Sequence, residues 1–337
     1  MNRPLEEFKR IPAEQLRRFG TDCMIAAGMP FDHAEQLATL LTSSSLRGVH
    51  SHGIRAISGY SHVVRDRKVN PIPEFEILKE TENSIYLGGD GGLGYAPMMQ
   101  VTEMAIVKAK ERGIAAGGTC HIGHYGSAGH YVRRAMEEGC VAFSVQGRYP
   151  QWYSDNKGKQ VAYYGNPPIC FGLPSEEEPP LILDAATCIM ADYQRGPEYD
   201  ALQELIPAAF FKSIGYAGVA TVLGGAFTGL NNQRAAEMME KWPAARHGGM
   251  IVVMKLDLFT PAEEVRTGVD DLVREVREEM IPVRGYDEAT MPGTVEQRLE
   301  LENTREGVPI DLKALERLEE TGAEFGVEVP WLTTAGD

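Results

Sequence analysis

Two short stretches of this chain combine side chains that pass protons with side chains that grip anions. In Arg47-Gly48-Val49-His50-Ser51-His52-Gly53, two imidazoles flank a hydroxyl between glycines, and Arg55 follows three residues after His52. An imidazole exchanges a proton near neutral pH, a hydroxyl can orient it, and a guanidinium can hold a carboxylate through two parallel bonds. The second stretch, Cys120-His121-Ile122-Gly123-His124-Tyr125-Gly126-Ser127-Ala128-Gly129, surrounds His124 with small residues ahead of a predicted helix, whose N-terminal end attracts negative charge. The first stretch has a plain alternative, a solvated surface turn. A zinc site built from the H-x-H and H-x-x-H pairs with Asp184 is a further alternative, but none of the established zinc spacings is present, and no metal is assigned. Gly89-Asp90-Gly91-Gly92-Leu93-Gly94 fits G-x-G-x-x-G between a strand and a helix. No strand with a terminal acidic residue follows at the distance a dinucleotide fold requires, so a tight turn with close helix–sheet packing is the preferred reading. Neither a G-x-S-x-G elbow nor a P-loop lysine is present.

The elements that must position these residues follow from periodicity. Residues 12–47 read as two helices, the second capped by Asp32 and carrying Ala34, Leu37, Ala38 and Leu41 at helical spacing. A further helix carries Ile57, Tyr60 and Val64, and Pro71 and Pro73 mark a boundary. From Phe75 the pattern alternates between strand and helix: strand 84–87, helix 97–112, strand 114–119, helix 131–138 closed by Gly139, and strand 141–145. Strand 169–173 follows, and then strand 181–184, which ends in Asp184. Between Leu205 and Leu230 lies a helix rich in small residues, where Gly215, Gly218, Gly224 and Gly225 would allow close backbone packing. A late strand at 250–256 precedes charged helices at 262–279 and 311–324.

Composition bounds the class. The 337 residues include 33 basic and 48 acidic side chains, a formal charge of −15, with acidic runs at 275–279 and 316–320. Such a surface repels phosphate backbones, so no nucleic-acid partner is expected. Five dispersed cysteines (Cys23, Cys120, Cys140, Cys170, Cys188) form no C-x-x-C pair and read as buried thiols of a reducing compartment. Without a long apolar run or an apolar N-terminal segment, a cytoplasmic protein with no membrane partner is expected.

Taken in order, RGVHSHG (47–53), GHYGSAGHY (123–131), YGNPPICFGLP (164–174) and LDAAT (183–187) resemble the signature of the malate/L-lactate dehydrogenase-like oxidoreductases. The resemblance runs from the N-terminal helices to about Arg266, and more weakly to Gly293. It implies a non-Rossmann α/β fold of two subdomains: a helical one for substrate and dimerisation from residues 1–74 and 275–337, and an α/β one for the nicotinamide cofactor from 75–274. It also implies a homodimer or higher homo-oligomer, and NADH or NADPH as cofactor. By the same resemblance His52 is the acid/base and His124 a second catalytic histidine. Ser51 orients the substrate, Arg55 or Arg47 holds its carboxylate, and Tyr60 lies nearby. The cofactor would be held by Asp184, Ala185, Ala186, the Phe211-Lys212 turn, Arg266, Pro292 and Gly293. Arg148, followed by Tyr149, Trp152 and Tyr153, is this chain's own candidate for substrate contact, against ordinary loop packing.

Several positions depart from the family. The substrate arginine usually stands where this chain has Ala56, and Thr294 replaces a usual Glu. Phe210-Phe211-Lys212-Ser213 replaces a Gly-Gly-x-Lys-Gly turn. Only 27 residues lie between Asp184 and Lys212, which removes a segment that helps close the family's active site. The leading expectation is hydride transfer between NAD(P)H and C2 of a small 2-oxo or 2-hydroxy acid, or a cyclic imino acid. The alternative is a divergent member that has lost the dinucleotide and works as a histidine-based lyase, isomerase or hydratase on a small carboxylate.

Overall fold

The computed structural model describes residues 5–148, 165–189 and 196–333. Its first elements are strand β1 (Phe8–Ile11) and helices α1 (Ala13–Ala26), α2 (Phe31–Leu46) and α3 (Ile57–Arg65). Leu16, Phe19, Cys23 and Met24 form the buried stripe of α1, and Ala34, Leu37, Ala38 and Leu41 that of α2. Gly20 lets the two helices approach, since a Cβ there would stand 3.1 Å from that of Ala38. Pro30, not Asp32, occupies the cap of α2; Asp32 lies in the first turn, where its charge still suits the helix dipole.

The sheet unit follows, with β2 (Glu76–Glu80), β3 (Ser84–Gly88), α4 (Tyr95–Arg112), β4 (Ile114–Ile122), α5 (Gly129–Glu137), β5 (Cys140–Arg148), β6 (Pro168–Leu173) and β7 (Leu181–Ala186). Beyond these come α6 (Pro197–Leu205), α7 (Pro207–Thr221) with a π-helical turn at Val222–Ala226, α8 (Gln233–Lys241) and β8 (His247–Lys255). The strands form one mixed sheet in the order β2-β3-β4-β8-β5-β6-β7, in which only β3 and β4 run parallel. This is not the parallel, doubly wound sheet of a Rossmann fold. Side chains alternate across it. Ile85, Leu87, Ala142, Cys170, Ile251 and Val253 pack beneath α4 and α5. Val145, Ile169 and Met250 pack with Ala220 of α7 on the opposite face.

Gly224 differs from Gly215 and Gly218 in its surroundings. At Gly224 an added Cβ would stand 2.0 Å from the backbone nitrogen of Gly147, so the π-helical turn lies on β5 at backbone contact. Gly215 and Gly218 face open space.

The chain then forms α9 (Ala262–Glu279), α10 (Thr294–Glu306), β9 (Val308–Asp311), α11 (Leu312–Phe325) and α12 (Pro330–Thr333). Strand β9 pairs antiparallel with β1, joining both ends of the chain in the helical unit. By contacts this unit comprises residues 1–73, 177–179 and 270–337, and the sheet unit comprises 74–176 and 180–269. Residues 177–179 count with the helices because the buried Asp270 carboxylate accepts the backbone N–H groups of Glu177 and Glu178. Among the described residues no single helix is long and apolar enough to cross a membrane, and the five cysteines are free thiols.

Candidate functional site

In the helical unit, α2 ends at Arg47 and turns through Gly48, whose φ of +72° and proximity to Leu299 suit glycine. Two short 3-10 turns, His50–His52 and Ile54–Ala56, carry the chain into α3. Ser45 pins this turn: its Oγ accepts the Ile54 N–H at 2.8 Å, and a Cβ on Gly53 would fall 2.3 Å from that oxygen. Ser51 Oγ and His52 Nδ1 are 2.9 Å apart. The hydroxyl therefore engages the Nδ1 side of the imidazole. The His50 ring is held towards its neutral form, first by burial and then by the Arg55 charge, with Asp311 opposing.

Arg47 and Arg55 are both committed within this unit. Arg47, only 6% exposed, donates to Ser43 Oγ at 2.6 Å and to Glu300 Oε1 at 3.2 Å, so it ties α2 to α10 and a substrate carboxylate would have to displace Glu300. Arg55 donates to the His50 carbonyl and to Asp311 Oδ2, both at 2.9 Å. Asp311 also caps α11 by accepting the Ala314 N–H. Burial alone would raise its carboxyl pKa, but that bond and Arg55 together hold it below the usual range. Arg55 is the more accessible guanidinium, and Tyr60 is half-buried on α3. Gly293, at φ +106°, opens α10 with its N–H donated to Glu296, and Pro292 is exposed. Beside them opens a cleft of about 610 Å³ lined by Arg277, Thr294, Gln297, Arg298 and Arg305.

In the sheet unit, register brings distant residues to one end of the sheet. Arg148 closes β5 opposite His247, which opens β8, while Ile122 at the end of β4 also pairs with His247. His124 stands two residues beyond Ile122, and its ring lies edge-on to His247 with centroids 6.3 Å apart. Alternation puts Ser144, Gln146 and Arg148 on the same face as His247. Burial lowers the pKa of His247 well below the usual value, helped by His124, Arg148 and Arg246; the Ala244 carbonyl opposes but is outweighed.

The loop bearing His124 is fixed from three sides. Gly89, Gly91 and Gly94 donate their N–H groups to the carbonyls of Cys120, His121 and His124, and Gly123 donates to Gly92. The glycine-rich loop is thus a brace for the His124 segment, with these amides already engaged by protein. Tyr131 donates its hydroxyl to the Tyr125 carbonyl, and the Tyr125 hydroxyl meets Ser144 Oγ at 3.2 Å. Asp184 Oδ2 accepts from Ser127 Oγ at 2.7 Å and from the Gly129 N–H at 3.0 Å. The negative charge expected at the start of α5 therefore belongs to the protein's own Asp184, which lies within β7 rather than at its end.

The remaining cofactor candidates are dispersed. Ala185 and Ala186 pair with Ile169 and Pro168 along the edge strand. Phe211 and Lys212 do not form a turn: they lie inside α7, exposed to solvent, because Pro207 starts the helix and no glycine stands at 210–213 to break it. Arg266, on α9, pairs with Glu176 at 3.2 Å. Tyr149, Trp152 and Tyr153 lie outside the described residues. Among the described residues no three His, Cys, Asp or Glu side chains are grouped to hold a metal ion. Sequence reasoning missed His247 and Gln146. The available signal was the polar series Ser144, Gln146, Arg148 at alternate positions of a strand otherwise fit for the core.

Comparison with known proteins agrees with the layout. The sequence pattern of the malate/L-lactate dehydrogenase family matches residues 11–196 and 192–319. The chain is 26% identical over 325 residues to ureidoglycolate dehydrogenase (NAD(+)) of Escherichia coli O157:H7, covering 89% of this chain and 92% of that one. It is 26% identical over 363 residues to malate dehydrogenase of Pyrococcus horikoshii, covering 96% and 97%. The solved structure of malate dehydrogenase from Pyrococcus horikoshii OT3 superposes with a TM-score of 0.81 at 23% identity, over 97% of this chain and 99% of that one.

Proposed function

Because the chain belongs to the malate/L-lactate dehydrogenase family, we propose that this oxidoreductase moves a hydride between NADH or NADPH and C2 of a small 2-oxo or 2-hydroxy acid or cyclic imino acid. The observation that carries the reading is the Ser51–His52 contact at 2.9 Å within the SHG turn, an acid/base imidazole oriented by a hydroxyl. Relatives whose names specify ureidoglycolate, malate and sulfolactate support a small hydroxy acid as substrate.

A bound nicotinamide would supply or accept the hydride at C2. His52 Nε2 delivers a proton to the oxygen as it gains charge, or removes the hydroxyl proton in the reverse direction. Ser51 holds the ring plane through Nδ1, and His124 is the second catalytic histidine that the family resemblance implies. Arg55 or Arg148 grips the substrate carboxylate, while Arg47 stays with Glu300. The sheet unit fits a neutral ring bearing an amide, because Gln146 Nε2 and His247 Nδ1 are buried donors or acceptors with no hydrogen bond of normal geometry. Asp184, Ala185 and Ala186 would lie along the dinucleotide.

The same reading includes a homodimer and a cytoplasmic setting. Phe211, Tyr216 and Val219 on α7, with Val222 at the start of the π-helical turn, offer exposed apolar surface for association, and the free thiols suit a reducing compartment. Titration of the purified protein with NADH and NADPH tests the reading. Fluorescence quenching and a thermal shift with one of them are expected. No response to either would favour the lyase, isomerase or hydratase alternative.

A further inference from the structure

Gln146 is 3% exposed, and its Nε2 has no hydrogen-bond partner; Nδ1 of His247 is sealed and makes no hydrogen bond of normal geometry, although the Ala244 carbonyl acts on the ring. Interior nitrogens are seldom left so, because removing an amide from water without replacing its bonds is costly. Register brings the two together. Gln146 lies opposite Gly249, and Arg148 lies opposite His247, so positions 146 and 247 are diagonal neighbours on one face, about 7–8 Å apart at Cα. A leucine at 146 would satisfy the core that Ala142, Cys170 and Ile251 form on this face, so packing alone gives no reason for an amide.

Both groups are uncharged, which restricts what they can recognise. A carboxylate brought to them would lose hydration without gaining an opposite charge, and the Arg148 guanidinium, two residues nearer the sheet end, would compete for it. A carboxamide suits them instead: its oxygen accepts from the Gln146 amide, and its own NH2 or oxygen serves the imidazole in whichever tautomer it adopts. We propose that Gln146, with His247 beside it, recognises the carboxamide of the nicotinamide ring and so fixes which way the ring lies. This rests on the hydride-transfer reading above. Because both nitrogens are closed to solvent, the ring reaches them by displacing the side chains that cover them.

The test compares NADH with ADP-ribose, which shares the adenine, riboses and phosphates but lacks the nicotinamide. Binding of each to the full-length protein is measured by calorimetry for wild type, Gln146→Leu and His247→Phe, and the melting temperature is recorded without ligand. Gln146→Leu should weaken NADH about tenfold, leave ADP-ribose unchanged, and keep or raise the melting temperature, since an unpaired amide is gone. His247→Phe should show the same selective loss to a smaller degree. Wild-type binding of NADH together with unchanged NADH binding by Gln146→Leu overturns this inference alone, as does an equal loss for ADP-ribose or a rise confined to the KM of the oxo acid. Failure of wild type to bind either NADH or NADPH overturns the hydride-transfer reading and this inference with it.

Discussion

The SHG turn of the helical unit and the sheet end around His124 are built in opposite ways. In the turn, His52 is held by its neighbour Ser51, and Arg55 reaches back to the carbonyl of His50, so the geometry at the imidazole is local. At the sheet end, His124 meets His247 from more than a hundred residues away, and Asp184 secures the loop from a different strand. Charge is handled differently too. The turn's arginines answer Glu300 and Asp311, whereas the His124–His247 pair sits beside the Arg148 guanidinium, opposite His247 in register, with both Arg148 and Arg246 disfavouring protonation of His247. The contrast fits the proposed roles, a proton-exchanging imidazole in the turn and a His247 ring kept neutral beside guanidinium groups at the sheet end.

His52→Ala should give the largest effect and is the sharpest way to break that contrast. Loss of the acid/base group should cut kcat roughly 10²–10⁴-fold while NADH affinity is kept. Turnover equal to wild type would remove the turn from the chemistry. In the double variant with His124→Ala, a loss much smaller than the product of the single losses is expected if both rings serve one substrate.

The sheet end depends on a closer backbone contact than any in the turn. Gly147→Ala would place a Cβ 2.4 Å from the Gly224 carbonyl carbon, and overpacking of that kind costs about 1–3 kcal/mol. Urea unfolding should show the loss, while Gly215→Ala, facing open space in α7, should be neutral or stabilising. Equal effects would mean that the π-helical turn is not held to β5.

Asp184→Ala removes the acceptor for Ser127 and for the start of α5, with an expected loss of about 1 kcal/mol because the group is exposed. Loss of NADH affinity without loss of stability would make Asp184 a ligand contact alone.

Acid should reveal the neutral imidazoles. His247 by burial and neighbouring positive charge, and His50 by burial and Arg55, bind a proton less readily folded than unfolded. The unfolded chain therefore binds more protons once the pH falls below about 6.5, so stability is complete above that value and declines as the pH drops towards the folded pKa values. His247→Phe should flatten part of this decline in urea midpoints taken at pH 7.5 and pH 5.

The helices within 12–47 and the strands read at 84–87 and 114–119 are legible because their apolar positions recur at 3.6 or 2 residues; the strands themselves run to Gly88 and Ile122. Strands β1 and β9 were missed: at four residues each, they are too short to show a period, and they form by pairing with each other. Asp32 was misplaced as a cap because Pro30 already holds the extended backbone a helix start needs. The Phe211-Lys212 turn was expected from the family's glycines, and their replacement lets α7 run through.

Residue type and near-neighbour spacing determined the family, the Ser51–His52 turn and the helices beside it, since those interactions lie within a few residues of one another. Only the folded sheet decided that His247 stands against His124, that Asp184 closes the start of α5, and that Gln146 is buried without a partner. Strand order and register join residues far apart in the chain, and a pattern read along one strand carries no information about which strand lies next to it.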